Sequence, residues 1–154
     1  MPDYAIREDD LTGEEVAALL RLHLDEMHQW SPPESVHAMP IECLRSADVT
    51  FYSAWDGPNL AACGAIKQLA PDHGELKSMR AHPDYRGRGA GKAVLARLLD
   101  VARERGYRRV SLETGAPDQF LPARRLYESH GFAECGPFGD YAPDPFSLFM
   151  TRTL

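Results

Sequence analysis

The segment His82-Pro-Asp-Tyr-Arg-Gly-Arg-Gly-Ala-Gly-Lys92 packs more usable chemistry than any other stretch of this chain. Gly87, Gly89 and Gly91 free the backbone to turn its N–H groups toward one point. Arg86, Arg88 and Lys92 add full positive charges. A helical pattern follows at once, with Val94, Leu95, Leu98, Leu99 and Ala102 on one face, and its N-terminus contributes about half a unit charge. The combination suits an anion, foremost a phosphate or pyrophosphate. The P-loop pattern G-x-x-x-x-G-K-[ST] fails twice, because position 86 is Arg and position 93 is Ala. The dinucleotide fingerprint G-x-G-x-x-G meets Lys92 in one register and Val94 in the other.

The elements around the turn can be read from punctuation and periodicity. Tyr4–Arg7 alternates as a strand, and Thr12-Gly-Glu-Glu15 has capping-box spacing, with Thr12 as the cap of a helix carrying Val16, Leu19, Leu20, Leu24 and Met27. Ser31-Pro32-Pro33 ends that helix, and Glu34–Ala47 holds a shorter one. Val49–Trp55 and Leu60–Leu69 form a hairpin across Asp56-Gly-Pro-Asn59. Gly74–His82 is a strand, Gly106 ends the helix after the glycine turn, and Arg109–Thr114 is the next strand. A helix over Pro122–His130 stops at Gly131, and Phe132–Gly136 and Phe146–Thr153 close as strands. This order predicts an α/β fold, a mixed sheet with helices on both faces.

With R-x-x-G-x-G over Arg86–Gly91, the His82–Gly91 segment resembles the acetyl-CoA-binding motif of the GCN5-related N-acetyltransferases (GNAT). Ala123, Leu126, Tyr127, Glu128, Gly131 and Phe132 resemble the family's second signature, and the element order matches over nearly the whole chain. The resemblance implies one acetyl-CoA-dependent domain over residues 1–154, with acetyl-CoA as co-substrate and no metal. It also implies a mostly antiparallel sheet of six to seven strands, splayed between Gly74–His82 and Arg109–Thr114. In the family pattern, backbone N–H groups of Arg88, Gly89, Ala90 and Gly91 hold the pyrophosphate. Arg86 and Arg88 flank it, within a loop that includes Gly87 and Lys92. The strand backbone at Met79 and Ala81 meets the pantetheine arm, and an N–H near Met79 polarises the acetyl carbonyl. Tyr127 is the implied donor to the departing thiolate, by full transfer or by a hydrogen bond. The family's Asn before that helix is missing; either Gln119, beside Phe120, substitutes or the contact is absent. His23-Leu-Asp-Glu-Met27, Ser31-Pro-Pro-Glu-Ser-Val-His37 and Asp144-Pro-Phe-Ser-Leu-Phe-Met150 are similar to a bacterial small-molecule, or indole-acetate, subgroup.

An alkylammonium acceptor of pKa ~10 is only ~10⁻³ deprotonated at pH 7, so a group that takes the proton, directly or through water, is expected. Strand alternation puts Glu75 on the face of Met79 and Ala81, which makes it the first candidate; His73 and His82 are rivals. The acceptor, a small-molecule or peptide amine, would meet the first helix, the Ser31–Ser35 loop and the Gly136–Pro145 loop. His28, Trp30, Glu34, His37 and Tyr141 are the candidates there, and Asp25, Glu26 and Glu34 make that side acidic. His23 and His28 do not share a helical face, which disfavours a metal site. Cys63, in an apolar run, reads as a packed hydrophobe.

Composition narrows the field further. A net charge of −6 over 154 residues argues against nucleic acid or an anionic membrane as the main partner. Cys43, Cys63 and Cys135 form no C-x-x-C pair, the N-terminus lacks an apolar leader, and no apolar run reaches the ~18 residues of a span. The expectation is a cytoplasmic acetyltransferase; family members are often homodimers, and nothing in the sequence specifies an interface. A catalytically silent CoA-binding sensor is the alternative.

Overall fold

The computed structural model describes residues 3–37 and 40–154. Strands β1 (Ala5–Glu8), β2 (Val49–Asp56), β3 (Asn59–Ala70), β4 (His73–Ala81), β5 (Arg109–Gly115), β6 (Ala133–Cys135) and β7 (Ser147–Thr153) form one seven-stranded sheet in the order β1-β2-β3-β4-β5-β7-β6. Only β4 and β5 pair in parallel, because α3 (Ala90–Glu104) crosses between them; every other pairing is antiparallel. The other helices are α1 (Glu14–Trp30), α2 (Ile41–Leu44) and α4 (Leu121–Ser129). On one face, α3 and Tyr127 of α4 pack with Ile66, Leu76, Val110 and Leu112; on the other, Val16 and Leu19 of α1 pack with Phe51, Cys63 and Ala65. The expected fold class, strand number and two-sided helices are all present.

Two details position the site. The β4–β5 ladder runs from His73/Arg109 to Leu76/Leu112 and stops there, while β5 stays paired with β7 through Gly115. Beyond Leu76, β4 has no strand on its β5 side: this is the splay. The second detail is a bulge in β4, where Ser78 and Met79 together oppose Gly64 and the register slips between Cys63 and Ala65. Ser78 sits at φ 55°, left-handed for a non-glycine residue, at a cost of about 1 kcal/mol. Extra backbone reverses the alternation. Glu75 and Lys77 oppose Lys67 and Ala65 on the α1 face, whereas Met79 packs on the α3 face. The expectation that Glu75 shares a face with Met79 and Ala81 is therefore corrected.

The N-terminal punctuation is corrected as well. Gly13, not Thr12, caps α1, because the Thr12 hydroxyl donates to Asp10 at 2.7 Å. Within Glu34–Ala47 the helix reduces to a 3₁₀ turn, Pro33–Ser35, and to α2; positions 38 and 39 of that span lie outside the described residues. Among the described residues, no helix is long and apolar enough to cross a membrane. Nor does any cluster of three His, Cys, Asp or Glu side chains there suit a metal ion.

Candidate functional site

A cleft of about 860 Å³ opens along the splay, between α1, the starts of α3 and α4, and the loop carrying Tyr141. At its first end lies the glycine turn. Gly87 (φ 71°) and Gly89 (φ 83°) adopt left-handed backbone that side chains resist, and Gly89 caps α3. The first intrahelical bond there is Ala93 N–H to the Gly89 carbonyl, at 3.0 Å. The N–H groups of Ala90, Gly91 and Lys92 are thus left for a ligand. Arg86, Gly87, Gly89, Ala90, Gly91 and Lys92 all line the cleft.

Arg88 departs from expectation. Its N–H donates to the Tyr85 carbonyl at 3.2 Å, and its guanidinium stacks 4.9 Å above the Tyr85 ring. It is not among the residues lining the cleft. The 3₁₀ turn Pro83–Tyr85 thus engages that N–H, whereas the N–H of Lys92 precedes the first intrahelical bond of α3.

Beyond the turn, β4 from Lys77 to Ala81 forms the floor, including Met79 and Ala81. Gln119 lines the cleft from the short turn preceding α4, and Trp30 meets the adjacent Phe120 edge-on at 5.4 Å. Tyr127 is buried against Phe132 with its ring lining the cleft; burial pushes the phenol well above its ordinary range. It therefore stays a proton-bearing donor.

The other end is polar and tightly paired. Glu75 is only 3% exposed, and its Oε2 accepts from Tyr141 at 2.6 Å and from Lys77 at 3.0 Å. Burial, followed by the Glu75 charge, drives the Tyr141 phenol far upward. Beside it, His37 Nδ1 bonds Glu113 Oε2, which also accepts from the Ser147 hydroxyl at 2.8 Å. His37 meets Tyr141 edge-on at 5.4 Å. Two bonds from the Ser35 hydroxyl to Asp144, at 2.8 and 2.9 Å, tie the His37 loop to the loop before β7.

The structure thus gathers Glu75, Trp30, His37 and Tyr141, but not every expected residue. His28 and Glu34 are exposed and do not line the cleft. His73 turns away to Ser111 at 2.7 Å, and His82 accepts the Asp84 N–H at 3.1 Å, capping the 3₁₀ turn. Neither rival base reaches the cleft lining. Glu26 does not offer free acidity either. Burial opposes its charge, yet Arg80 (2.5 and 2.6 Å) and Arg86 (3.1 Å) hold its carboxyl below the usual range. Lys77 and Glu113 escaped the sequence reading. Lys77 stands two residues from Glu75 on one strand, a usable signal; Glu113 reaches His37 only through tertiary contact.

His23 also lines the cleft, its Nδ1 buried without a partner among the described residues. Burial, then Arg80, lowers it from 6.5 to about 4. An unfolded histidine takes a proton near 6.5 while the folded one waits until about 4, so unfolding takes up a proton between those values. This contribution is complete above pH 6.5 and shrinks on acidification, by about 3 kcal/mol in total. Urea melts at pH 7 and 4.5 should show the loss, and His23→Phe should flatten it.

The family comparisons agree with this geometry. The model described as "Acetyltransferase (GNAT) family" matches residues 16–132. The chain is 52% identical over 149 residues to YsnE of Bacillus subtilis, an uncharacterized N-acetyltransferase (97% of this chain, 99% of that protein). It is 36% identical over 156 residues to an "IAA acetyltransferase" of Azospirillum brasilense, covering all of both. A crystal structure from Klebsiella pneumoniae, designated an acyl-CoA N-acyltransferase, superposes at TM-score 0.80 with 28% identity, over 100% and 99% of the two chains. A Bacillus subtilis acetyltransferase in complex with CoA shares the fold at TM-score 0.71 and 17% identity, over 99% of each. On the strength of the matched residues, the full-length relatives and the splayed sheet, this chain belongs to the GNAT family of acetyltransferases.

Proposed function

We propose that residues 1–154 form one catalytic domain that moves an acetyl group from acetyl-CoA directly to an amine. The observation carrying this reading is that a helix N-terminus with free N–H groups, an unpaired strand edge and a buried tyrosine share one cleft. The relatives named N-acetyltransferases and the CoA-bound structural neighbour support it. The N–H groups of Ala90, Gly91 and Lys92, with Arg86, would hold the pyrophosphate. The open β4 edge at Met79 and Ala81 would pair with the pantetheine amides, and Gln119 would stand where the family places Asn.

Tyr127 donates a hydrogen bond to the leaving thiolate and keeps its proton. Transfer from a phenol of pKa ~10 to a thiol of ~8.5 is already uphill by about 2 kcal/mol, and burial makes it more so. Direct attack is favoured over an acyl-enzyme. Burial pushes the Cys63 thiol up to about 12, and Cys63 does not line the cleft. Trp30, Tyr141 and Glu75 form the acceptor wall, where Glu75 and Lys77 fix the Tyr141 hydroxyl.

Calorimetry with acetyl-CoA, with ATP–Mg²⁺ and NADH as controls, tests the reading. Acetyl-CoA alone should bind; Arg86→Ala should weaken it about 10-fold, whereas Arg88→Ala should change it less than about 2-fold. Binding without acetylation of any amine in a broad panel would mark a silent CoA sensor. No binding would end the proposal.

A further inference from the structure

The cleft holds two carboxylates that face the acceptor side, and they are engaged differently. Lys77 neutralises Glu75 at 3.0 Å, and Tyr141 occupies the same oxygen. Glu75 also lies within the paired part of β4, opposite Ser111 and below the splay. Glu113 is the first β5 residue past the last β4 pair, so it stands at the opening itself. Its Oε2 receives the Ser147 hydroxyl and His37 Nδ1. A histidine that donates through Nδ1 to a carboxylate carries its lone pair on Nε2. His37 lines the cleft, and no partner for Nε2 is present among the described residues.

Resting on the acetyl-transfer reading above, we propose that His37, oriented by Glu113 and Ser147, is the group that takes the acceptor's proton, and that Glu75 positions Tyr141 instead. An imidazole whose second ring nitrogen has no partner suits a general base better than a carboxylate already engaged by Lys77 and Tyr141 does. The charged and titratable groups facing His37 are Glu113, Tyr141 and, across the loop contact, Asp144; Glu75 and Lys77 stand behind Tyr141. An imidazolium formed there rests against the Glu113 carboxylate. The step balances as follows. The acceptor ammonium passes one proton to His37 Nε2, the freed lone pair forms the C–N bond, the C–S bond breaks, and the nitrogen sheds its second proton to solvent to give the amide. The thiolate leaves on the Tyr127 hydrogen bond and is protonated by solvent, to which His37 also returns its proton.

The test uses the whole protein with acetyl-CoA, and phenethylamine as acceptor probe because Trp30, Phe120 and Tyr141 offer aromatic walls. His37→Asn should lower kcat about 10²-fold and remove the acidic limb of the pH profile, with acetyl-CoA affinity by calorimetry unchanged. Methoxyamine, unprotonated at neutral pH, should be acetylated by His37→Asn and the wild type within a few-fold. Glu113→Gln should show the same split more weakly. Should Glu75→Gln abolish the limb while His37→Asn keeps it, Glu75 is the base and the proposal falls. ¹⁵N NMR of the labelled protein decides independently of any acceptor. Nδ1 protonated with bare Nε2 at neutral pH is expected for His37, and the opposite tautomer overturns the assignment. Wild-type protein that binds acetyl-CoA but acetylates neither amine would count against the transfer reading, leaving the tautomer to judge His37.

Discussion

Replacing Tyr127 by Phe should slow acetyl transfer by about 10²–10³-fold while leaving acetyl-CoA binding and the melting temperature close to wild type. The reasoning begins with packing. Tyr127 is buried in the α3-side core and meets Phe132 edge-on at 5.9 Å, contacts that a phenyl ring reproduces. What the substitution deletes is the single hydroxyl of a residue that lines the cleft. No hydrogen bond from that hydroxyl to the described residues is present, so no protein group loses a partner. The loss then falls where charge develops on the departing sulfur. A transition-state interaction lowers kcat and kcat/KM together and spares the Michaelis constant for acetyl-CoA. Because burial holds the phenol above its ordinary range, ionisation of Tyr127 contributes no fall in rate as pH rises toward 10. Steady-state kinetics of Tyr127→Phe with calorimetry alongside measures both halves, and an unchanged kcat removes Tyr127 from the chemistry.

Gly64→Val should destabilise the protein by about 3 kcal/mol, lowering the melting temperature roughly 6–12 °C. A Cβ at position 64 would stand 2.4 Å from Met79 Sδ, 2.8 Å from Val94 Cγ1 and 3.2 Å from Leu98 Cδ1. Met79 can swing aside, but Val94 belongs to α3 and is stiff at χ1. The bulge puts Met79 directly over Gly64, so the clash is transmitted to the strand edge that would hold the pantetheine arm. Acetyl-CoA affinity should therefore fall as well. Gly57→Ala is the contrast: unlike Gly64 it has a positive φ, and nothing lies within 4 Å, so it should cost stability without touching affinity. Thermal melts and calorimetry on both variants separate packing from backbone strain.

The parts of this site that were legible in the sequence are those built by short stretches of chain. A glycine turn running into a helix makes its own anion site from consecutive residues, so Gly87, Gly89, Ala90 and Gly91 could be named before any contact was known. The element order was equally local, set by Pro33, Gly106 and Gly131. Illegible were features created by one strand sliding against another. Nothing in Lys77-Ser-Met-Arg80 marks a bulge, since Ser78 takes a backbone conformation usually left to glycine. That single extra residue reversed the face assigned to Glu75. Arg86 and Arg88 looked equivalent until the 3₁₀ turn engaged one of them. Glu113 and His37, 76 positions apart, meet only because the Ser35–Asp144 tie brings two loops over the splay.

The splay carries a consequence for the molecule without its ligand. A sheet that parts in the middle acquires an interior edge, and from Lys77 to Ala81 the backbone groups on the β5 side go without a strand neighbour. Most proteins blunt such edges with charge or cover, because an open ladder invites foreign strands. In the acetyl-transfer reading proposed above, the amide-bearing arm of the cofactor would cover that edge as a borrowed half-strand. Occupancy then counts toward the folded state by mass action, about 2.7 kcal/mol at a ligand concentration one hundred times its dissociation constant. Depletion of acyl donor in such a molecule would idle a catalyst and, at the same time, uncover an interior edge of its sheet.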